Sequence, residues 1–395
     1  MRSSVHEPAR PSILSMDHAT FAEAFAAAGH GSPDRAREVY ANFYRCGVVH
    51  DAEVPQPTQV LTSDHAEGNV VKFTLPVPGV VGKGDDSKGG VLETESVVIP
   101  MRRKHETTNT LCVSSQVGCA MGCTFCETAQ MGLIRSLTVE EIVAQWWAAR
   151  HHLGHTIRNI VFMGMGEPLD NLDAVIGAIR VLTDHRGPSI GMRRVTISTV
   201  GRVDKLAELA AQIRTDGWRQ LNLAVSINAP TDEIRNEIMP INRAMPLSGL
   251  IDVLADWPLR RSGRICVEYV LIPGVNDQAE HAHALCDLLK RVRCTVNVIP
   301  YNPRRDSPWP APTEDAVWAF IGALESRGQF TKRRRTKGVD SMAACGQLGN
   351  ERIRRRRYVG VSSSIRSAGL CGSRGFTESA AQPDEVVDGH THGIG

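Results

Sequence analysis

Three cysteines, Cys119, Cys123 and Cys126, stand at the spacing C-x3-C-x2-C, and Cys112 lies upstream of them. Thiolates are soft donors that suit iron–sulfur clusters, zinc or Cu(I). A closed structural zinc site takes four ligands, and no second cysteine pair at zinc-finger spacing follows nearby. An electron-transfer 4Fe-4S cluster also takes four cysteines. Three thiols on such a cluster leave one iron open, much as a catalytic zinc site keeps a position for substrate. An open iron would hold the amino and carboxylate groups of a methionine-like molecule. The plainer alternative is three buried or zinc-binding cysteines.

Other residues able to do chemistry follow at intervals. In Met163-Gly-Met-Gly-Glu-Pro-Leu169, two glycines allow a ligand close to the backbone, and Glu167 can accept from an ammonium group. A tight strand-to-helix turn explains the same stretch. Ser198, Ser226, Asn228 and Asn302 each end a strand-like run with a small polar group suited to a ribose or carboxylate. Singly each is an ordinary turn residue; together they favour a ligand. Cys345, in Ala-Ala-Cys-Gly-Gln-Leu beside basic residues, is a lone cysteine, a kind more often inert than reactive.

These positions need a scaffold, and the pattern supplies one. Strand-like runs at 110–117, 159–164, 194–200, 221–228, 264–272 and 295–302 alternate with amphipathic segments near 138–152, 171–184, 202–214, 246–257, 277–292 and 313–326. Such repeats imply α/β architecture with a parallel sheet and helices on its outer face. The expected fold is an open (β/α)6 partial barrel, whose chemistry sits at the C-terminal strand ends. Ahead of it, 57–99 reads as short antiparallel strands with a Gly- and Asp-rich loop at 79–90. Residues 17–48 read as two helices, with Ser32-Pro33-Asp34 as an N-terminal cap and Cys46 in the packed stripe. The expected divisions are an N-terminal helical module at 1–56, a β-rich connector at 57–107, the core at 108–350, and a basic then disordered tail at 351–395.

Composition sets the outer bounds. The chain has 395 residues, 42% hydrophobic and 22% charged, as in ordinary soluble globular proteins. No apolar run is long enough to span a membrane and no signal-peptide segment opens the chain, so a cytoplasmic protein with reduced thiols is expected. Net charge is +2, but Arg102–Lys104, Lys332–Arg335 with Lys337, and Arg352 with Arg354–Arg357 form basic runs able to neutralise phosphates. Solvated faces account for such runs equally well.

Taken in order, these motifs resemble one family. The cysteine stretch with Phe125 before its last thiol fits the radical S-adenosylmethionine (SAM) form. Gly-Met-Gly-Glu-Pro-Leu, Arg-Arg-Val-Thr-Ile-Ser-Thr, Ala-Pro-Thr-Asp-Glu-Ile-Arg, Val-Glu-Tyr-Val and Ala-Cys-Gly-Gln-Leu are similar to the RlmN/Cfr family of class A radical SAM RNA methyltransferases. The similarity runs from about Glu95 to Leu348.

The resemblance implies one 4Fe-4S cluster on Cys119, Cys123 and Cys126, and two SAM molecules per turnover. The first would methylate Cys345. The second, cleaved at the open iron to a deoxyadenosyl radical, would remove hydrogen from that methyl group. The carbon would then join an adenine ring, Glu95 would accept the ring proton, and Cys112 would release the product by a transient disulfide with Cys345. Glu93, on the same face of the strand, makes the Glu95 assignment softer. Gly166, Glu167, Ser198, Ser226, Ile227, Asn228 and Asn302 match SAM-contacting positions.

The implied substrate is an adenine carbon of RNA, carbon 2 over carbon 8, in 23S rRNA or tRNA. Flavodoxin or ferredoxin would donate electrons to a monomer. Two departures leave an alternative open. Asn228 replaces the family's usual histidine and the N-terminal helices are short, which a paralogue acting on a small molecule or peptide would also explain.

Overall fold

The computed structural model describes residues 12–49, 54–78, 92–103, 106–338 and 341–349. The 79–90 loop, Lys104, the 352–357 basic run and the tail with Cys371, His390 and His392 lie outside the described residues.

One twisted sheet carries most of the chain. Its strands are β1 (Gln59–Ser63), β2 (Val70–Val77), β3 (Leu92–Arg103), β4 (Glu106–Cys112), β7 (Ile157–Phe162), β8 (Val195–Thr199), β9 (Asn222–Ser226), β10 (Ile265–Leu271), β11 (Cys294–Pro300) and β12 (Thr331–Arg333), side by side in that order. The first four pair antiparallel. From β4 onward every pair is parallel, with right-sized crossovers between strands. The remaining two strands, β5 (Gln116–Val117) and β6 (Arg135–Ser136), form a separate ribbon.

The helices are α1 (His18–Ala27), α2 (Pro33–Ala41), α3 (Glu127–Met131), α4 (Val139–Trp147), α5 (Leu172–Thr183), α6 (Val203–Ile213), α7 (Asp232–Ile238), α8 (Leu247–Ala255), α9 (Ala279–Leu288) and α10 (Glu314–Ser326). Sequence chemistry starts several of them. Asp17 and Ser32 cap α1 and α2, and Thr138 with Glu141 forms a capping box on α4. Arg135 then clamps the Glu141 carboxylate with both guanidinium nitrogens.

The open barrel expected from the β/α alternation is present, with two extensions. The antiparallel strands are continuous with the parallel sheet rather than a separate connector. The 107/108 division falls within the β3–β4 hairpin, where Met101 opposes Thr108. The strand expected over 110–117 stops at Cys112. There Gln145 of α4 takes both the amide and the carbonyl of Ser114, and Ser114 Oγ donates to the Glu95 carbonyl, so the chain leaves the ladder.

Alternation along the parallel strands separates two faces. Val195 and Ile197 of β8, Leu223 and Val225 of β9, and Val267 and Tyr269 of β10 are buried beneath the helices. Thr196, Ser198 and Ser226 point the other way, into the barrel, and are half-buried.

The N-terminal helices pack on the outside. Phe43 and Tyr44 lie 5.5 and 6.1 Å from Trp147 and Trp146 of α4, and Trp147 Nε1 donates to the Phe43 carbonyl. Cys46 is exposed, not in the stripe, because the chain turns at Gly47 in the left-handed region (φ 72°). No helix among the described residues is long and apolar enough to cross a membrane.

Candidate functional site

The cysteine loop links the β5–β6 ribbon to α3, and backbone bonds fix its shape. Gly118 (φ 77°) brings the chain so near Gly132 that a Cβ there would sit 1.8 Å from the Gly132 carbonyl oxygen. The Cys119 amide donates to that same carbonyl. Thr124 donates to the Ile238 carbonyl at 3.0 Å, and Arg304 Nε donates to Thr124 O at 2.8 Å. Met121, Phe125, Met239, Tyr301 and Trp309 form an apolar cluster around the thiols.

All three thiols are free and line one cavity of about 180 Å³. Burial pushes each of them above the ordinary thiol range, so they are poor anions when nothing neutralises them. Arg235 is the nearby counter-charge on Cys123. Its guanidinium is 1% exposed and donates to Ile227 O, Val200 O, Ser226 O and Asn242 Oδ1. One buried cation thus ties the ends of β8 and β9 to the loop facing the cysteines.

This donor set fits an iron–sulfur cluster. Thiols are the soft donors such a cluster takes, and these three line one cavity.

The strand ends opposite supply polar groups. Gly166 (φ 102°) packs its bare Cα on Gln116, where a Cβ would meet the Gln116 Cβ at 2.6 Å. This close approach lets Glu167 face the cavity. The Glu167 carboxylate accepts from the amides of Leu169 (3.0 Å) and Val200 (2.9 Å), while burial raises its pKa. A cationic group arriving there would relieve that burial cost.

Ser198, Ser226, Asn228 and Asn302 line the same cavity. The Ile227 side chain does not; it is wholly buried in the core, and its backbone bonds Glu268 and Arg235. Asn228 adopts the left-handed conformation (φ 58°), which Asn tolerates better than most residues. Its Oδ1 accepts from Val270 N and its Nδ2 donates to Met239 Sδ.

The two remaining thiols meet across this cavity. Cys112 ends β4, and Cys345 sits on the loop after β12, whose carbonyl accepts from Asn302 Nδ2 at 3.2 Å. Arg334 stands beside both. Its guanidinium lies 3.7 Å from the Glu268 carboxylate, and the Glu268 carboxylate also accepts from Asn297 and Cys266. Burial, then the neighbouring Cys345, pushes the Cys112 thiol up to about 12, and Arg334 opposes the shift.

A raised thiol pKa means the thiolate appears only as pH climbs. Iodoacetamide trapping of Cys112 is therefore expected to keep increasing above the ordinary thiol value of 9.0, toward 12. Arg334→Met should move that profile further to alkaline pH. A Cys112 profile levelling near 9, or one indifferent to Arg334, would contradict this reading.

Glu95 lies outside the cavity lining. It is 5% exposed on β3, its carboxylate pairs with Lys72 Nζ at 3.0 Å and accepts from Gly349 N at 3.0 Å. Lys72 also donates to the Met342 carbonyl, so the pair grips both ends of the Cys345 loop. Glu93, its alternative, instead accepts from the Thr58 hydroxyl.

Sequence reasoning gave no role to Arg235, Arg334, Glu268 or Lys72. Arg235, Glu268 and Lys72 each had a signal, a charged residue inside an apolar or motif stretch, such as Lys72 in Val-Val-Lys-Phe-Thr-Leu. Arg334 was hidden within a basic run that reads as surface.

Comparison with known proteins gives a family. Residues 113–286 match the model of the radical SAM superfamily. The chain is 44% identical over 266 residues to "Probable dual-specificity RNA methyltransferase RlmN 1" of Protochlamydia amoebophila, covering 67% of this chain and 72% of that one. It is 40% identical over 351 residues to "Dual-specificity RNA methyltransferase RlmN" of Nitratidesulfovibrio vulgaris (strain DP4), covering 84% and 93%. Among solved structures, a radical SAM methyltransferase from Sphaerobacter thermophilus superposes with a TM-score of 0.74 at 35% identity, over 85% of this chain and 98% of that one.

Proposed function

The chain belongs to the RlmN family of radical SAM methyltransferases, and from that premise we propose that it methylates an adenine carbon in RNA through a methyl group carried on Cys345. It is a SAM-dependent methyltransferase of a family that uses a 4Fe-4S cluster. The observation that carries the proposal is the juxtaposition of Cys112, Cys345, Glu167 and the three cluster-type cysteines around one cavity. A protein that merely bound a cluster would need neither Cys112 nor Cys345.

Cys119, Cys123 and Cys126 would hold the cluster, which when bound supplies the electron for reductive cleavage of SAM. Glu167 would hold the SAM ammonium, with Gly166, Ser198, Ser226, Ile227, Asn228 and Asn302 completing the contacts. Ile227 contributes through its backbone and Asn228 chiefly as a brace, given their bonds.

Cys345 acts as a nucleophile and takes a methyl group from SAM. After that methyl loses a hydrogen atom, its carbon radical adds to the adenine ring; Glu95 would accept the ring proton, and the odd electron of the adduct would have to leave to the one-electron carrier that Cys119, Cys123 and Cys126 would hold. Cys112, as the thiolate, attacks the Cys345 sulfur, so the S–C bond breaks as the S–S bond forms and the released carbon takes up a proton to become the methyl group. Two electrons from an external reductant then return both thiols. A flavodoxin- or ferredoxin-type donor suits both reductive steps, and two SAM molecules are used per turnover by a monomer.

The relatives' names support RNA as substrate; 23S rRNA, with tRNA as a second target, is proposed on the family resemblance alone. Carbon 2 is proposed over carbon 8, following most of the family. The test is nucleoside mass spectrometry of rRNA and tRNA from cells with and without the gene. Loss of 2-methyladenosine on deletion is expected. Loss of 8-methyladenosine would correct the carbon, and an unchanged set of nucleosides would remove RNA as the substrate.

A further inference from the structure

Arg334 follows β12 directly, and its amide donates to the Val298 carbonyl of β11 at 2.8 Å. Its guanidinium lies 3.7 Å from the Glu268 carboxylate of β10 and 3.7 Å from Met163 Sδ. Glu268 is itself fixed and 5% exposed. Asn297 Nδ2 donates to it at 2.9 Å, and Cys266 Sγ donates to it at 3.3 Å. Cys112 and Cys345 line the same cavity as Arg334 and Glu268. The further groups acting here are Cys266 and exposed Lys332, which oppose one another.

One guanidinium faces one carboxylate, so this group is neutral while the thiols keep their protons. One thiolate beside the cation is tolerable; a second would meet the repulsion of the first. The two thiols are unequal partners. Cys345 leads the influences that raise the Arg334 pKa, against burial and ahead of Glu268 and Cys112. Burial, then Cys345, raises the Cys112 pKa, and Arg334 lowers it.

The reaction needs these anions at different times. Cys345 must ionise to take the methyl group, and Cys112 only once the carbon has joined the ring. In the first step the new S–C bond forms at Cys345 as the methyl–sulfonium bond of SAM breaks. The thiolate becomes a neutral thioether, and the sulfonium leaves as a neutral sulfide.

We propose that Arg334, tethered by Glu268, is a positioning residue that serves the two thiols in turn. It steadies the Cys345 thiolate until the methyl group arrives, and the uncharged thioether then leaves the guanidinium to Cys112. This rests on the methyl-carrier reading above and adds the device that orders its two sulfur steps. While Cys345 is free, Cys112 stays a thiol and does not compete for the methyl group of SAM. The proton that Cys112 later gives up matches the one the released carbon takes up.

The test compares full-length, cluster-loaded enzyme in three forms: Cys345 free, Cys345 methylated by SAM in the absence of RNA, and Cys345→Ser. After gel filtration to remove SAM, iodoacetamide alkylation of Cys112 is followed at about pH 8 by mass spectrometry of its peptide. Both forms without a Cys345 thiol are expected to react about tenfold faster or more, the effect of one pKa unit on the thiolate fraction. In Arg334→Met the free and methylated forms are expected to be slow and within about twofold of each other, since neither then holds a stabilised Cys345 thiolate. Arg334→Lys keeps the charge and is expected to restore part of the difference, which a purely structural arginine would not allow.

Equal or slower Cys112 alkylation in the methylated and Cys345→Ser forms would overturn the inference and leave the methyl carrier in place. That comparison is independent of how the Arg334 variants fold. A full difference persisting in Arg334→Met would assign it to Cys345 alone and overturn the role of Arg334. If SAM placed no methyl group on Cys345 while RNA was still methylated, the carrier reading would fall, and the inference with it.

Discussion

Cys345→Ala is expected to reduce methyl transfer to RNA by on the order of 10⁴ or more, the scale of losing a covalent nucleophile. SAM cleavage should continue, because Cys119, Cys123, Cys126 and Glu167 are untouched and pinned by bonds independent of that side chain. Cys112→Ala tests the other half of the pair. Without it the Cys345 sulfur has no thiol partner on the cavity wall outside the cysteine loop, so the RNA is expected to stay bonded to the protein. Gel electrophoresis under denaturing conditions would reveal that adduct, and Cys112→Ala, Cys345→Ala together should abolish it. Full activity of Cys345→Ala would sink the mechanism outright. An adduct that survived Cys345→Ala would assign the covalent carrier to another residue.

That pairing illustrates how much of the molecule its sequence disclosed. The β/α alternation was legible because each parallel strand buries a Val/Ile/Leu face under an amphipathic helix, and both periods are local properties. The cysteine spacing was legible because one short loop holds all three thiols. Short pieces were not: α3 and α7 are too brief to show a helical period, and β12 is three largely polar residues. Their positions are set by partners distant in sequence. Arg334 could not be told from Arg333 by composition, yet one faces the thiols while the other lies over Trp318 on the outer side. Alternation along β12 decides which, and three residues give no visible alternation.

Charge inside the barrel follows the same long-range logic. Arg235 is a buried cation and Arg334 a half-buried one, their partners come from several strands, and each lies beside thiols, Arg235 near Cys123 and Arg334 near Cys112 and Cys345. A buried thiolate is expensive unless a cation accompanies it. The fold places one guanidinium near Cys123 and one near Cys112 and Cys345. Both were written in the sequence as arginines, but only packing reveals that they are not surface.

Glu95→Gln is expected to slow RNA methylation about 10²- to 10⁴-fold, the range for losing a general base. The amide retains an oxygen able to accept from Gly349 N and Lys72, so the Cys345 loop should remain docked and Cys345 methylation intact. Proton removal follows formation of the carbon–carbon bond, so this variant should also accumulate some of the RNA adduct that Cys112→Ala traps. Lys72→Met separates the two duties of the pair. It leaves Glu95 buried without its counter-charge and frees Met342, a loss on the order of 3 kcal/mol, and is expected to lower the melting temperature and impair Cys345 methylation as well. If Glu95→Gln transfers methyl groups at the original rate, the carboxylate only docks the loop and another group takes the ring proton. As the structure stands, the carboxylate is engaged by Lys72 and Gly349 outside the cavity lining. For Glu95 to serve as the base, its carboxylate must first be released by Gly349 N and Lys72.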